Sequence, residues 1–396
     1  MRAHGAGGAA SGETAPGEAA RHPAPEAPGA SGHGASGHGA SGHGASGHGA
    51  SGHGASGHGA RGPRVALVWG VVAALGVAGA ALSLFVGSSG LSAARVGAAL
   101  TGGGDETART IVLGLRLPRA LLAVAVGGGL SAIGVAMQAL VRNPLAEPYV
   151  LGASGGASAG AALFYLGFVP AAVSRSLSMP LAAVLGAWLA LSFVFLVARR
   201  GPRLSTSRLL LAGVAVSALL GAVTAFVTFA SPEPDKLRAV LFWLLGSLAA
   251  ADAGGTAVAL GVSLAGAGAL WALARPLDLL ATGEEPAAAL GVPVEALKRA
   301  LLALSAVVTG VLVAEAGLVG FVGLIAPHAV RLAVGPSHGR LVPLAWAGGA
   351  AFLLFADLAA RTALPGQEMP VGVVTALCGV PFFLLLLRRS DPDRLA

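Results

Sequence analysis

The chain has 396 residues, of which 55% are apolar and only 11% are charged, and its formal net charge is +7. Soluble domains carry about 25% charged residues, so this composition excludes an ordinary soluble globular protein. The chain is predicted to have the lipid bilayer as its main solvent.

The first 64 residues are rich in glycine, alanine, serine and proline, and they repeat ASGHG six times between residues 30 and 59. A segment of this composition cannot bury a core, so we predict a disordered cytoplasmic tail. A cleavable signal peptide is not expected, because no short apolar core follows the start. Loose metal binding by the six repeat histidines is the alternative, although a five-residue step on a flexible chain presents no formed site.

Past residue 64, apolar runs of about 20 residues recur, each long enough to cross a hydrocarbon core of roughly 30 Å as a helix. We predict an all-α polytopic membrane protein with about ten transmembrane helices in residues 65–389, followed by a cytoplasmic tail at 390–396. The predicted spans are 65–86, 119–141, 149–168, 179–198, 206–229, 255–274, 300–317, 319–334, 342–361 and 370–387.

The positions of the lysines and arginines predict the orientation of these spans. With the N-terminus inside, most of these residues fall on the cytoplasmic side, including Arg199, Arg200, Lys298, Arg388 and Arg389. Cytoplasmic loops of membrane proteins carry such an excess of positive charge. Both termini are therefore predicted to be cytoplasmic, in a multi-pass protein of the cell membrane.

Several chemistries are missing from the sequence. Cys378 is the single cysteine, which excludes a disulfide and a cysteine metal site. The two lysines, Lys236 and Lys298, do not follow a glycine, so the chain lacks a phosphate-binding GxxxxGK loop. We expect no catalytic residue, no cofactor and no metal, and any ATP must be hydrolysed by another polypeptide.

Small residues recur at helical spacing and predict close helix packing in lipid. They form two sets, Gly152, Gly156 and Gly160 in the third span and Ala306, Gly310 and Ala314 in the seventh.

Polar residues inside spans are costly and point to pairing or function. Asp357 and Arg361 are four residues apart and are predicted to pair along their helix. Glu315 has no partner that the sequence identifies, so it either lines an aqueous cavity or reaches the outer interface. Gln138 lies inside the second span.

Five motifs occur along most of the chain, namely RLPRALLAVAVGGGLSAIGVAMQALVRNPLAEPYVLGASGGASAGAAL (116–163), STSRLLLAGVA (205–215), EEPAAALGVPVEALKR (284–299), GFVGLIAPHAVRL (320–332) and MPVGVVTALCGVPFFLLLLRR (369–389). Together they resemble the FecCD family, the permease subunits of ABC importers for ferric siderophores, haem and vitamin B12. The resemblance covers about residues 65–389 and implies the ABC importer permease fold. One departure is Gly317-Leu318, where many members have Gly-Pro.

The resemblance implies that the loop between the sixth and seventh helices docks on the ATPase subunit. The implied residues are Glu284, Glu285, Ala287, Leu290, Gly291, Val294 and Leu297. The residues agree with two short helices, because Thr282 and Glu285 can form a capping box, Gly291 can end the first helix and Pro293 can start the second. The apolar members Ala287, Leu290, Val294 and Leu297 are predicted to form the contact surface, with Lys298 and Arg299 returning the chain to the headgroups. A simple connector is the alternative.

The resemblance also implies a cytoplasmic gate and an outer docking site. The gate residues are Asn143 and Leu145, after the second span, and Thr206 and Ser207, at the start of the fifth. An ordinary capped turn is the alternative there. Arg116, Arg119 and Arg361 match arginines that meet acidic residues of the substrate-binding protein. Anchoring of helix ends at the headgroups, with Arg361 tied to Asp357, is the alternative reading of these arginines.

The sequence therefore predicts the permease subunit of an ABC importer for a ferric siderophore, with cobalamin or haem as alternative substrates. The expected partners are two ATPase subunits, an extracytoplasmic binding protein, a second permease subunit in a homodimer or heterodimer, and the lipid bilayer, but no nucleic acid. Rival hypotheses are an ion-coupled secondary transporter and a membrane enzyme. The secondary transporter would need no ATPase partner, and the enzyme would show activity from the purified chain alone.

Overall fold

A computed structural model describes residues 62–389, except 88–89, 175–176, 202, 232–233 and 365. The predicted tails at 1–61 and 390–396 lie outside the described residues. The helices are α1 Gly62–Phe85, α2 Ala93–Leu100, α3 Glu106–Arg109, α4 Leu117–Val141, α5 Ala153–Tyr165, α6 Ala171–Ser174, α7 Met179–Ala198, α8 Thr206–Phe229, α9 Pro234–Leu244, α10 Ala253–Ala272, α11 Ala274–Thr282, α12 Glu284–Ala289, α13 Val294–Ala316, α14 Val322–Val334, α15 His338–Thr362 and α16 Val371–Arg389.

The described part of the chain is almost entirely helical, as predicted for an all-α protein. A short antiparallel pair, β1 Arg199–Arg200 and β2 Arg203–Leu204, joins α7 to α8. A π-helical turn at Thr110–Arg116 connects α3 to α4, so that 106–141 forms one long helix. Pro118 lies just after this turn, and because proline has no N–H to donate, the regular hydrogen-bond pattern is interrupted there.

Each of the ten predicted spans overlaps one of the longer helices, and several of these helices extend beyond the predicted bounds. Among the described residues, seven helices are long and apolar enough to cross a bilayer, and they include α1, α7, α8, α10, α13, α15 and the long helix 106–141. The helices of the other three predicted spans are apolar over a shorter stretch, at 153–165, 322–334 and 371–386. Ten crossings therefore remains a prediction, while the membrane-spanning helical class is confirmed.

Helix α4 lies at the centre of the bundle. Almost all of its residues are buried, and it packs against α10, α13, α14 and α15. Helix α1 is mostly exposed and packs mainly on α15. Large apolar side chains such as Leu211, Phe226 and Phe229 on α8 are exposed, which suits a surface that faces lipid or another subunit.

Close backbone contacts hold neighbouring helices together. A Cβ added to Gly156 on α5 would lie only 2.3 Å from the carbonyl oxygen of Gly186 on α7. Gly160 meets the carbonyl of Ala182 in the same way. The predicted small-residue face is therefore confirmed for α5, except that Gly152 precedes the helix as its left-handed cap, with φ +88°.

The second predicted small-residue face lies on α13 and is also confirmed. Ala306, Gly310 and Ala314 are all buried. A Cβ on Gly310 would lie 3.5 Å from that of Ala187 on α7, so this contact is looser than the one between α5 and α7.

Candidate gate and docking surfaces

The predicted docking loop connects α11 to α13. Gly283 ends α11 with φ +138°, and after the short helix α12, Gly291 has φ +86°. The N–H of Val292 donates to the carbonyl of Ala287 at 3.0 Å, which closes the end of α12. A break at Gly291 was predicted and is present, and the second helix of the loop is the first part of α13.

The predicted capping box is wrong. Thr282 is the last residue of α11, and its hydroxyl donates to the carbonyl of Leu279 at 2.8 Å. Gly283 precedes α12, and no side chain caps that helix. Because α11 continues through Thr282, the hydroxyl bonds back to a carbonyl of its own helix and is not available to cap α12.

The apolar surface of the loop is narrower than the sequence predicted. Leu290 is 66% exposed, but Ala287, Val294 and Leu297 are buried within the chain. These three side chains hold the loop on the bundle. A helix as short as α12 needs such packing in order to be stable. Glu285 and Gly291 are exposed beside Leu290.

The lysine that was predicted to return the chain to the headgroups is buried instead. Lys298 is 1% exposed, and its Nζ lies 2.5 Å from Oε2 of Glu284 and 3.5 Å from Oε1 of Glu295. An ammonium group removed from water requires such partners. The other carboxylate oxygen of Glu284 accepts a hydrogen bond from Thr206 Oγ1 at 3.3 Å. A predicted docking residue and a predicted gate residue are therefore in direct contact.

The two predicted gate pairs lie at the same end of the bundle, at the ends of α4 and α8. Asn143 Oδ1 accepts the backbone N–H of Leu145 at 2.9 Å, which forms a tight turn after α4. Thr206 is the first residue of α8, and Ser207 is exposed beside it. No hydrogen bond links the two pairs in the part of the chain that the structure describes.

Arg142 connects the first gate turn to the docking loop. It adopts the left-handed conformation, with φ +54°, and follows the last residue of α4. A Cβ on Gly283 would lie 3.9 Å from Nη1 of Arg142, so the guanidinium group passes close to the start of α12.

Two residues that follow the predicted gate residue Leu145, namely Glu147 and Tyr149, were missed by the sequence analysis. The carboxylate of Glu147 accepts the backbone N–H of Phe321, a residue with φ +65°. Burial raises the pKa of this carboxyl group. The hydroxyl of Tyr149 donates to the carbonyl of Val319 at 3.1 Å. The available signal was the presence of Glu and Tyr in a loop between apolar spans, where polar groups need internal partners.

The three predicted outer arginines form one cluster at the other end of the bundle. Arg119 Nη2 lies 2.9 Å from Oδ1 of Asp357, and its Nη1 lies 2.9 Å from Oε2 of Glu368. Arg361 Nε lies 3.0 Å from Oδ2 of Asp357, which confirms the predicted pair along α15. Arg116 Nη1 donates to the carbonyl of Leu84, at the end of α1, at 2.6 Å.

These arginines line a cavity of about 500 Å³ that also includes Glu368. Arg116 and Arg361 are largely buried, and 12% of the Arg119 side chain is exposed. Three guanidinium groups face two carboxylates, so the cavity has an excess of positive charge. The alternative reading tied Arg361 to Asp357, and this contact is present, while docking of a binding protein on the three arginines stays a prediction.

Glu315, whose role the sequence left open, also lies at this end of the bundle. Its carboxylate lies against Gly255 and close to the carboxylate of Asp252. Asp252 caps α10 by accepting the N–H groups of Gly254 and Gly255 at 2.8 and 3.0 Å.

The polar sites lie at opposite ends of α4, whose 25 residues span about 37 Å at 1.5 Å per residue. An all-helical bundle that crosses the bilayer and has polar sites at both ends defines a membrane permease. Residues 80–389 match the family model described as the FecCD transport family. The chain belongs to this family.

Curated relatives include permeases of three named import systems. The cobalamin import system permease BtuC of Halobacterium salinarum is 44% identical over 289 residues, covering 73% of this chain and 76% of that protein. The hemin transport system permease HmuU of Yersinia pestis is 41% identical and covers 72% and 85%. The achromobactin transport system permease CbrC of Dickeya dadantii is 41% identical and covers 82% and 90%.

A solved structure shares the fold. A metal-chelate type ABC transporter in an inward-facing conformation has a TM-score of 0.72 at 30% identity, covering 82% of this chain and 99% of that one. The predicted family and the permease fold are confirmed. In such importers a separate ATPase subunit hydrolyses ATP, so the prediction that this chain is a transporter permease and not an enzyme is confirmed with them.

Proposed function

We propose that this chain forms the translocation pathway of an importer for a metal chelate. A ferric siderophore is the predicted substrate, and cobalamin or haem are the alternatives. Support comes from relatives named for cobalamin and hemin transport and from a structural neighbour described as a metal-chelate type transporter. In this proposal both termini are cytoplasmic, and the gate end of α4 faces the cytoplasm.

The proposed assembly contains two permease subunits, identical or different, two ATPase subunits and one binding protein. The exposed part of the docking loop, centred on Leu290, contacts the ATPase. The single observation that supports coupling best is the contact of Thr206 with Glu284, because it joins the docking loop to the gate through one hydrogen bond. ATP binding that displaces α12 would then change the position of α8 by a differential contact.

The outer arginine cluster is proposed to receive acidic side chains of the binding protein. Its excess of positive charge and its open cavity support this role. Because Asp357 and Glu368 already hold Arg119 in place, an incoming carboxylate would meet pre-arranged donors rather than mobile side chains. Charges of this kind mainly raise the association rate and weaken with salt.

The ion-coupled secondary transporter is the rival from another class. Such a protein needs a carboxylate that changes its protonation state or ion occupancy along the pathway. Asp357 forms ion pairs with both Arg119 and Arg361, which favours a structural role for this carboxylate over ion coupling. Uptake that continues when the ATPase subunit is inactivated would support the rival and overturn the importer proposal.

The docking proposal is tested by Leu290→Asp, with Leu290→Met as the matched control. The aspartate places a charge in the apolar contact, whereas methionine keeps the approximate volume and the apolar character of leucine. We expect the Asp variant to insert normally but to lose co-purification with its ATPase and stimulation of ATP hydrolysis by the binding protein. Retained stimulation in the Asp variant would show that docking lies elsewhere.

The substrate is tested by deleting the gene and measuring uptake of a ferric siderophore, haem and cobalamin, each at limiting concentration. Loss of one uptake activity, restored by the cloned gene, assigns the substrate. Unchanged uptake of all three would contradict the proposed substrate class.

A further inference from the structure

A cavity of about 720 Å³ lies at the gate end of the bundle, apart from the gate and the docking surface described above. It is enclosed by the start of α1, the end of α11 and the turn between α14 and α15. Three arginines line it, namely Arg64, Arg331 and Arg340, together with His338 and Asp278. None of the roles assigned above uses this cavity.

The charge inside the cavity is strongly positive. Asp278 is the single carboxylate among the lining residues, and it is engaged by His338, whose Nδ1 and backbone N–H lie 2.6 and 2.8 Å from Oδ1. Arg64 and Arg340 are exposed and form no ion pair within the described part of the chain. The cavity therefore presents three guanidinium groups against one carboxylate that is already hydrogen-bonded.

Two side chains of the cavity, one buried and one partly buried, each have a buried nitrogen atom without a hydrogen-bond partner among the described residues. His338 is 1% exposed, and its Nε2 has no hydrogen-bond partner among the described residues. Arg331 donates through Nη2 to Oε1 of Gln138 at 2.7 Å, but its Nε is buried without a partner there. Buried polar atoms are almost always satisfied, so an ordered water inside the protein accounts best for each of these two.

The surroundings of the cavity match the boundary between headgroups and acyl chains. Trp271, at the end of α10, is 60% exposed, and its indole N–H donates to the carbonyl of Gly339 at 3.0 Å, beside Arg340. Tryptophan is enriched at this depth of a membrane. Leu67 is three residues beyond Arg64 on the same side of α1 and is 68% exposed, so an apolar surface lies one turn deeper than the charges.

We propose that this cavity binds the phosphate headgroup of an anionic phospholipid, with its acyl chains along the exposed apolar surface of α1. Arg64 and Arg340 hold the phosphate from the outside, and the guanidinium group of Arg331 supplies donors from within. Basic pockets between transmembrane helices bind such headgroups. A free phosphate offers the same charge but would leave the apolar surface uncovered. The assignment to the inner leaflet rests on the proposed orientation, whereas binding itself does not.

The test uses the purified full chain, delipidated in neutral detergent and titrated with dioleoyl phosphatidylglycerol or dioleoyl phosphatidylcholine. Bound lipid is counted by native mass spectrometry. We expect one phosphatidylglycerol to bind more tightly than any phosphatidylcholine, and the double variant Arg64→Gln, Arg340→Gln to lower its affinity about 30-fold. Each arginine near an anionic headgroup contributes about a five-fold change in affinity.

Two variants and one competitor make the test specific. Arg275→Gln with Arg299→Gln removes the same charge from exposed positions outside the cavity and should leave affinity unchanged. Arg340→Lys keeps the charge and should retain most of the binding. Inorganic phosphate at 100-fold excess over the lipid should not displace it.

Equal binding of the two lipids, or unchanged affinity in the Arg64 and Arg340 double variant, would overturn the proposal. Displacement by phosphate would show a site for a soluble anion, and loss of the ATPase subunit from the double variant would show a protein interface. Either result also overturns it. Uptake is measured in parallel, so that a failure of lipid binding with intact import is distinguishable from a failure of the proposed function.

Discussion

Lys298 shows how one buried charge can organise the gate end of this permease. Its ammonium group is almost completely removed from water, which costs several kcal/mol unless anionic partners surround it. Glu284 is fixed by this requirement, and its second oxygen then holds Thr206. A force on the docking loop thus reaches the first residue of α8 through the hydrogen bond between Glu284 and Thr206.

We expect Glu284→Gln to weaken this arrangement. The amide cannot replace the 2.5 Å ion pair with Lys298, and the free energy of unfolding should fall by about 1–3 kcal/mol. The control is Glu285→Gln, which removes the same charge from an exposed position of α12. Thermal unfolding midpoints of the purified variants provide the measurement. Equal midpoints for the two variants would show that the ion pair has no net effect on stability.

Glu368 offers a test of the outer arginine cluster that keeps its core intact. Its side chain is 41% exposed at the edge of the cavity and neutralises part of the positive charge of Arg119, whereas Asp357 is buried between two arginines. Glu368→Gln should raise the association rate of an acidic binding protein about two- to five-fold at low salt. The gain should shrink at 0.5 M salt, because the Debye length is then below about 8 Å.

The matched control for Glu368 is Glu106→Gln, which removes an exposed carboxylate at the start of α3, outside the cavity. Association is measured with the permease in nanodiscs, and basal ATP hydrolysis should stay unchanged. A slower or unchanged association rate for Glu368→Gln would remove the support for docking at this cavity.

At the scale of the helices, small residues determine which pairs approach closely. Lipid gives apolar helices no reason to associate, so tight backbone contact supplies much of the stability. Gly156 and Gly186 meet with almost no space between α5 and α7, and Gly127 and Gly349 do the same between α4 and α15. The sequence predicted the α5 face from its four-residue spacing, but only the structure identifies its partner helix.

We expect Gly156→Ala to lower the thermal unfolding midpoint, because its Cβ would lie 2.3 Å from a backbone carbonyl that cannot rotate away. Gly261→Ala on α10 is the control, since a Cβ there meets nothing within 4 Å. Alanine is the better helix former by about 0.8–1 kcal/mol, so the control should be unchanged or slightly more stable. A midpoint for Gly156→Ala that equals the wild type would contradict the tight α5–α7 contact.

For the molecule as a whole, the sequence predicted the class, the family and the residues at the two ends of the bundle. It predicted the local pair of Asp357 and Arg361, but it could not predict partners that lie far apart in the sequence. Arg119 and Asp357 are 238 residues apart, so nothing local indicates that they pair. The same limit explains why Lys298 was expected at the headgroups: its position on the buried side of α13 depends on how α12 folds back. Only tertiary packing decides which face of such a helix is removed from water.

Removal of residues 1–60 is the largest alteration of the chain that we expect to leave transport intact. The described helices begin at Gly62 and the family match begins at residue 80, so none of the contacts described above needs the deleted segment. We expect uptake at limiting substrate to stay within about two-fold of the full chain at equal membrane abundance, as is usual for terminal segments outside the packed fold. A full-length variant with the six repeat histidines replaced by glutamine separates metal binding from length. A severalfold fall in uptake in both variants would show that the histidines contribute to import, and a fall in the deletion alone would show that the length of the segment does.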